Sequence, residues 1–202
     1  NYIVEHVARP GDVIIGTDSH TCTAGAVGAL AFGVGATDIA NAWYNREILV
    51  KVPAVIKITL LGHLRQGVCA KDLMLALLRH PMIEGSQTLG RVLLFAGPGS
   101  ATMNMDERAT LCNMAVEAGG MTALFEPDEV THAYLAERPR TSREATAVAP
   151  ASDEDATYGV VVDIGLADVE PMVALPGDPR NAVPLASVHD EVKADKVYGG
   201  VS

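Results

Sequence analysis

Aromatic residues fill 4% of the 202 positions, with a single Trp. The core must therefore be built from aliphatic side chains and alanine. Only three cysteines occur, Cys22, Cys69 and Cys112, odd in number and widely spaced. Such usage argues against a disulfide scaffold and fits a reducing compartment. Neither C-x-x-C nor C-x-x-x-C is present, so the spacing of a local metal site is missing. This predicts Cys69 and Cys112 to be buried free thiols. Lys and Arg total 15 against 25 Asp and Glu, a net charge of −10, and the basic residues nowhere cluster. That balance argues against a nucleic-acid or anionic-membrane partner. No uninterrupted apolar run approaches a membrane span and no signal peptide is visible, so the expectation is a cytoplasmic protein. The chain also lacks an initiator Met, opens in NYIVEHVARPGD as if inside a helix, and stops at VYGGVS. These ends read as those of a piece of a longer polypeptide.

What remains is rich in Val, Ala, Leu and Ile, the composition of buried parallel strands flanked by helices. Strands are predicted over 13–17, 54–61, 91–96, 122–125 and 158–164. Thr23 to about Asn45 reads as a loop followed by a Gly/Ala-rich helix. KDLMLALLR (71–79) has helical spacing, with Leu73, Met74, Leu77 and Leu78 on its apolar face. Asn104 with Glu107 is a capping-box pattern opening a helix that runs to Gly119-Gly120, and Pro127 starts a short helix to about Glu137. Residues 138–156 form a polar loop, and the Pro-rich text after Pro171, VALPGDPRNAVPL, reads as a linker. Strands alternating with helices predict an α/β fold with mostly parallel pairing.

Chemistry concentrates at two places. Asp18, Ser19 and His20 end a strand and open the small-residue segment TCTAGAVGALAFGVGATD. In an extended backbone Asp18 and His20 point the same way and Ser19 the opposite way. A carboxylate beside an imidazole suits acid–base work near neutral pH. The plain alternative is that Asp18 caps the next helix and His20 is a surface turn residue. The second place is Asn113 and Glu117, four apart on the predicted helix and so on one face. Leu111, Met114, Ala115, Val116 and Ala118 surround them. A carboxylate in such company must be paired, hydrogen-bonded or neutralised, unless it simply reaches water at the edge of the stripe. Gly33-Val34-Gly35 is too weak a match to a dinucleotide fingerprint to use. His63, His80, His132 and His189 receive no role.

Taken in order, GTDSHTCTAGAVGALAFGVGATD, VKVP, AKDL and MDERATLCNMAVEAGG resemble the large subunit of the aconitase superfamily, in its isopropylmalate dehydratase and homoaconitase branch. The resemblance covers almost the whole chain. It implies three-layer α/β/α lobes: the end of a first lobe over 1–53, a second over 54–171, and a linker with the start of a third, cluster-bearing lobe over 172–202. It also implies a hydro-lyase acting on a hydroxy di- or tricarboxylic acid such as 3-isopropylmalate, homocitrate or a related malate. A [4Fe-4S] cluster has one iron open to substrate in that family, and a small subunit or C-terminal swivelling domain completes the pocket. By position, Asp18, Ser19 and His20 match the substrate-pocket triplet. Glu117 matches the carboxylate that handles the hydroxyl or water together with His20, and Asn113 a residue lining the cluster pocket. None of the three cysteines matches a cluster ligand. The family's first ligand lies in G-S-C-T, where this chain reads Gly200-Val201-Ser202, and a pocket His lies before the position of Asn1. VALPGDPRN departs from the family's interdomain text. Two further readings stay open: a catalytically inactive binding or assembly module without the cluster, and a metallohydrolase using Asp18, His20 and Cys22 directly.

Overall fold

A computed structural model describes residues 2–84, 86–138, 151–189 and 196. The architecture is mixed α/β, with mostly parallel pairing as expected. Its centre is a four-stranded, all-parallel sheet of order β5-β4-β3-β6, built from β3 (Val55–Leu61), β4 (Val92–Ala96), β5 (Thr122–Phe125) and β6 (Val160–Gly165). All of β4, VLLFA, is buried, because a central parallel strand is covered on both faces and its sequence is correspondingly apolar throughout. In β3 the buried residues alternate as Ile56, Ile58 and Leu60. Phe95 and Phe125 stack across adjacent strands with centroids 5.1 Å apart, so two of the few aromatics are spent at the centre of the core.

Helices pack on this sheet. In α2 (Ala70–Leu78), Leu73, Met74, Leu77 and Leu78 are buried, as their spacing predicts. It is followed by the one-turn α3 (Pro81–Glu84). At the head of α4 (Met105–Asn113) the Asn104 side chain accepts from the Glu107 N–H and Glu107 accepts from the Asn104 N–H, the capping box read from the sequence. Asp128 caps α5 (Glu129–Ala136) through the Thr131 N–H.

The segment carrying the triplet lies beside the large sheet. A separate parallel pair joins β1 (Val13–Gly16) to β2 (Leu30–Gly33). Between them Ser19–Val27 forms a 3₁₀ helix, and α1 (Ala36–Asn45) follows. The 3₁₀ helix lies directly on β5: a Cβ on Gly25 would sit 1.8 Å from the Ala123 carbonyl oxygen. Gly33 in turn backs onto the triplet, where a Cβ would fall 2.8 Å from the Asp18 carbonyl. The small residues thus serve close backbone approach.

Four expectations need correction. The stretch from Thr23 is a 3₁₀ helix and a strand before the helix begins at Ala36; LAFG has no β-branched residue and hides its strand among glycines. The Asp18–His20 backbone is already turning into that 3₁₀ helix, so side chains do not alternate. Cys69 is exposed, because it is the flanking residue that caps α2. The linker text after Pro171 contains an antiparallel pair, β7 (Met172–Ala174) and β8 (Ala182–Pro184), tied to α2 by the Met172 N–H donating to Asp72 at 2.7 Å. Residues 139–150 of the polar loop and most of the final text, including VYGGVS, lie outside the described residues.

Candidate functional site

Asp18 caps the 3₁₀ helix, its carboxylate accepting from the His20 N–H at 2.8 Å. The capping alternative is therefore correct as far as backbone goes. It does not exhaust the triplet. The turn swings the His20 ring away from the strand, and Nε2 lies 3.1 Å from Oε1 of Glu117, a residue 97 positions away. On the other side of the ring, Nδ1 is 3.2 Å from Ser19 Oγ and 3.6 Å from Asp18 Oδ1. All three members of the triplet thus gather on one imidazole, Ser19 included.

A carboxylate at Glu117 only accepts, so the proton on this contact sits on Nε2. In the neutral ring Nδ1 is then the acceptor, and the Ser19 hydroxyl is the donor placed to fill it. When the ring is protonated, Nδ1–H faces Asp18. The His20 side chain is 40% exposed and that of Glu117 28%, against 76% for Asp18. The pair sits at a half-open surface, within reach of a small molecule. Its second oxygen, Glu117 Oε2, is buried and has no hydrogen-bond partner. A buried acceptor left empty is costly, of order 1–3 kcal/mol, and such atoms recur where a ligand or water completes the site.

Glu117 reaches His20 by a route the sequence did not show. Helix α4 ends at Asn113, and residues 114–119 continue as hydrogen-bonded turns rather than helix. Bonds there shorten to three-residue spans, Ala115 N to Cys112 O and Gly119 N to Val116 O, and Gly120 N reaches back to Ala115 O. Tertiary donors hold the carbonyls of this stretch. The Cys22 thiol lies 3.5 Å from Asn113 O, and the Thr88 hydroxyl donates to Ala118 O. Asn113 and Glu117 therefore do not share a helical face. The Asn113 amide donates to Thr23 Oγ1 at 2.9 Å, and the Thr23 hydroxyl donates to the His20 carbonyl at 2.7 Å. Thr23 and Thr88 were missed in the sequence. A signal existed for the first: Thr21, Cys22 and Thr23 each return to the carbonyl three residues earlier, a local pattern open to Ser/Thr-type side chains. Thr88 had none.

The metallohydrolase reading gains no support from Cys22. Its thiol is buried against the carbonyls of Ser19 and Asn113. Burial first, and then the negative charges of Glu117 and Asp18, push its pKa up to about 12. Burial also raises the Cys112 thiol. The third cysteine, Cys69, stands exposed at the head of α2. Iron–sulfur clusters are held by converging thiolates, and these cysteines, two buried and one exposed at the head of α2, form no such group. Among the described residues no group of three or more His, Cys, Asp or Glu side chains is arranged to hold a metal ion. No helix among them is long and apolar enough to cross a membrane.

Parallel α/β architecture with a half-exposed imidazole–carboxylate pair at the end of a strand defines a structural class. Comparison with known proteins narrows it. The profile of the aconitase family (aconitate hydratase) matches residues 1–198, and the chain belongs to that family. It is 42% identical over 194 residues to a 3-isopropylmalate dehydratase large subunit from Syntrophus aciditrophicus, covering 96% of this chain and 44% of the relative. A protein of the same description from Nitratiruptor is 43% identical over 192 residues, covering 95% and 44%. A 2,3-dimethylmalate dehydratase large subunit from Eubacterium barkeri is 38% identical over 204 residues, covering 98% and 47%. The chain spans less than half the length of these relatives.

Proposed function

We propose that this chain forms one wall of the active site of a hydro-lyase that interconverts a hydroxy dicarboxylic acid and its unsaturated counterpart. The observation that carries the reading is the half-exposed His20–Glu117 contact, 97 residues apart in sequence. We take alkyl-substituted malates as the substrate class, on the strength of relatives named for 3-isopropylmalate and 2,3-dimethylmalate, and, as those relatives are large subunits, a small subunit as the partner.

Elimination of water needs a proton delivered to the departing hydroxyl and another withdrawn from the neighbouring carbon. The dyad serves the first need. A bound hydroxy acid sets its hydroxyl against the exposed edge of the pair, which fixes the C–O bond there. With the ring protonated, the Nε2 proton passes to the leaving oxygen, which departs as water, and His20 is left as a neutral imidazole with its remaining proton on Nδ1, facing Ser19 and Asp18. Ser19 and Asp18 hold the opposite edge of the ring, so the imidazole keeps one orientation through either protonation state. In hydration the same pair takes the proton back from water. We assign withdrawal of the carbon-bound proton to a group outside the dyad. The [4Fe-4S] cluster implied by the resemblance would be held by cysteines other than Cys22, Cys69 and Cys112 and would supply Lewis-acid polarisation of the substrate.

The test is a dehydration assay on 3-isopropylmalate and 2,3-dimethylmalate, followed by ultraviolet absorbance of the conjugated product. It uses the polypeptide that carries these residues assembled with its small subunit. His20→Asn is expected to lower kcat by about 10²–10⁴ with little change in folding. A His20→Asn enzyme as fast as the parent would sink the proposal.

A further inference from the structure

The two halves of the dyad come from segments that share no secondary structure. His20 rides on the 3₁₀ helix between β1 and β2, and Glu117 on the turns after α4. Their contact is half exposed, and an exposed ion pair holds two side chains together only weakly. Something else must fix their spacing to hydrogen-bond distance.

We infer that Thr23 is the positioning residue that sets the His20–Glu117 separation, by joining the backbone of His20 to the last residue of α4. Its hydroxyl has one proton to give, and gives it to the His20 carbonyl at 2.7 Å. Its oxygen then accepts from Asn113 Nδ2 at 2.9 Å. Donor and acceptor capacities are both used, and the bonds run in one direction, from Asn113 through Thr23 to His20. The Cys22 thiol makes a parallel link from the same helix, within reach of both Ser19 O and Asn113 O. The far side of the Glu117 turn is held by the Thr88 hydroxyl on Ala118 O. Glu117 is thus clamped before and behind, and the forward clamp passes through Thr23. Displacing reacting groups by about 1 Å can cost on the order of 100-fold in rate, so a hydroxyl that touches no substrate is expected to register in kcat.

This inference rests on the proposed proton-transfer role of the dyad, and its test separates the two. The first arm is ¹⁵N NMR of the His20 imidazole in this chain, with Glu117→Gln as the reference for a broken contact. Thr23→Val keeps the shape and removes the hydroxyl; Asn113→Ala removes the same link from its other end and serves if the Val variant does not fold. Both are expected to move the Nε2 signal in the direction Glu117→Gln moves it, and Thr23→Ser, which restores the hydroxyl, is expected to return it. If Glu117→Gln moves the signal while Thr23→Val and Asn113→Ala do not, Thr23 does not position the pair. No response even to Glu117→Gln means there is no contact to position, which also overturns the inference. The second arm is dehydration by the assembled enzyme, where Thr23→Val is expected to lower kcat about tenfold or more with KM within about twofold. Should the NMR arm behave as expected while His20→Asn leaves dehydration untouched, the positioning stands and the proposed function falls.

Discussion

Two pairs, a carboxylate with a guanidinium and a carboxylate with an imidazole, sit at opposite ends of α4, and they are built to opposite specifications. Near the head of the helix, Arg108 is fully buried and has every direction filled. It grips both oxygens of Asp128 at 2.6 and 2.7 Å and donates to Thr131 Oγ1, Met103 O and Ser100 O. Its guanidinium also lies 5.2 Å from the centre of the Phe125 ring. Past the tail of the helix, His20 and Glu117 meet through one 3.1 Å contact, half open to solvent, with Oε2 left empty. A satisfied buried pair organises a fold; a half-exposed pair joined by a single contact is open to a ligand. One lies at each end of the same helix.

The contrast can be broken or sharpened by substitution. The largest effect is expected from Glu117→Gln in the dehydration assay: a loss of about 10²–10⁴ in kcat, with the denaturant midpoint of unfolding nearly unchanged. At the other end, Arg108→Ala is expected to destabilise the fold by about 3–5 kcal/mol, because it strands a carboxylate and two carbonyls that the guanidinium served. Urea unfolding measures it, and a shift below about 1 kcal/mol would mean that the pair is ornamental.

A smaller effect follows from Asp128. Burial alone raises its pKa, but the hydrogen bonds from Arg108 and the Thr131 N–H, with the charge of Arg108, outweigh it and hold the carboxyl below its usual 3.8. A depressed folded value means the stabilisation is fully present above the ordinary carboxylate value and is lost as pH falls through the folded one. Stability should therefore drop below about pH 4 more steeply in the parent than in Asp128→Asn. Equal slopes would remove Asp128 from the account. The smallest effect is a count of thiols. Cys69 is exposed, whereas Cys22 and Cys112 are buried with raised pKa, so a disulfide reagent at pH 8 should label one thiol per chain quickly and the other two only on unfolding. Fast labelling of Cys22 would show that the clamp beside the dyad is open.

How far the sequence carries depends on the range of the interaction. The run VLLFA, the apolar face of α2 and the Asn104–Glu107 box act over neighbours or one helical turn, and they stand as read. The end of α4 was not legible. No Gly or Pro breaks the chain between Asn113 and Glu117; what shapes that stretch is a thiol from Cys22 and a hydroxyl from Thr88, residues distant in sequence. The strand in LAFG and the pairing of β7 with β8 were hidden for the same reason, since short strands take their identity from a partner. At the site, the capping role of Asp18 was legible from its position before a helix. The union of His20 with Glu117 was implied only by the family resemblance, and periodicity placed Asn113 beside Glu117 when it turns instead to Thr23.

The most direct measurement is a double-variant cycle on kcat for dehydration, using His20→Asn, Glu117→Gln and the pair together in the assembled enzyme. If the two residues act as one proton-handling unit, the double variant is no slower than the worse single variant, because the first substitution already removes the unit. Losses that multiply would show two independent contributions, and parent-like rates in either single variant would contradict the account outright.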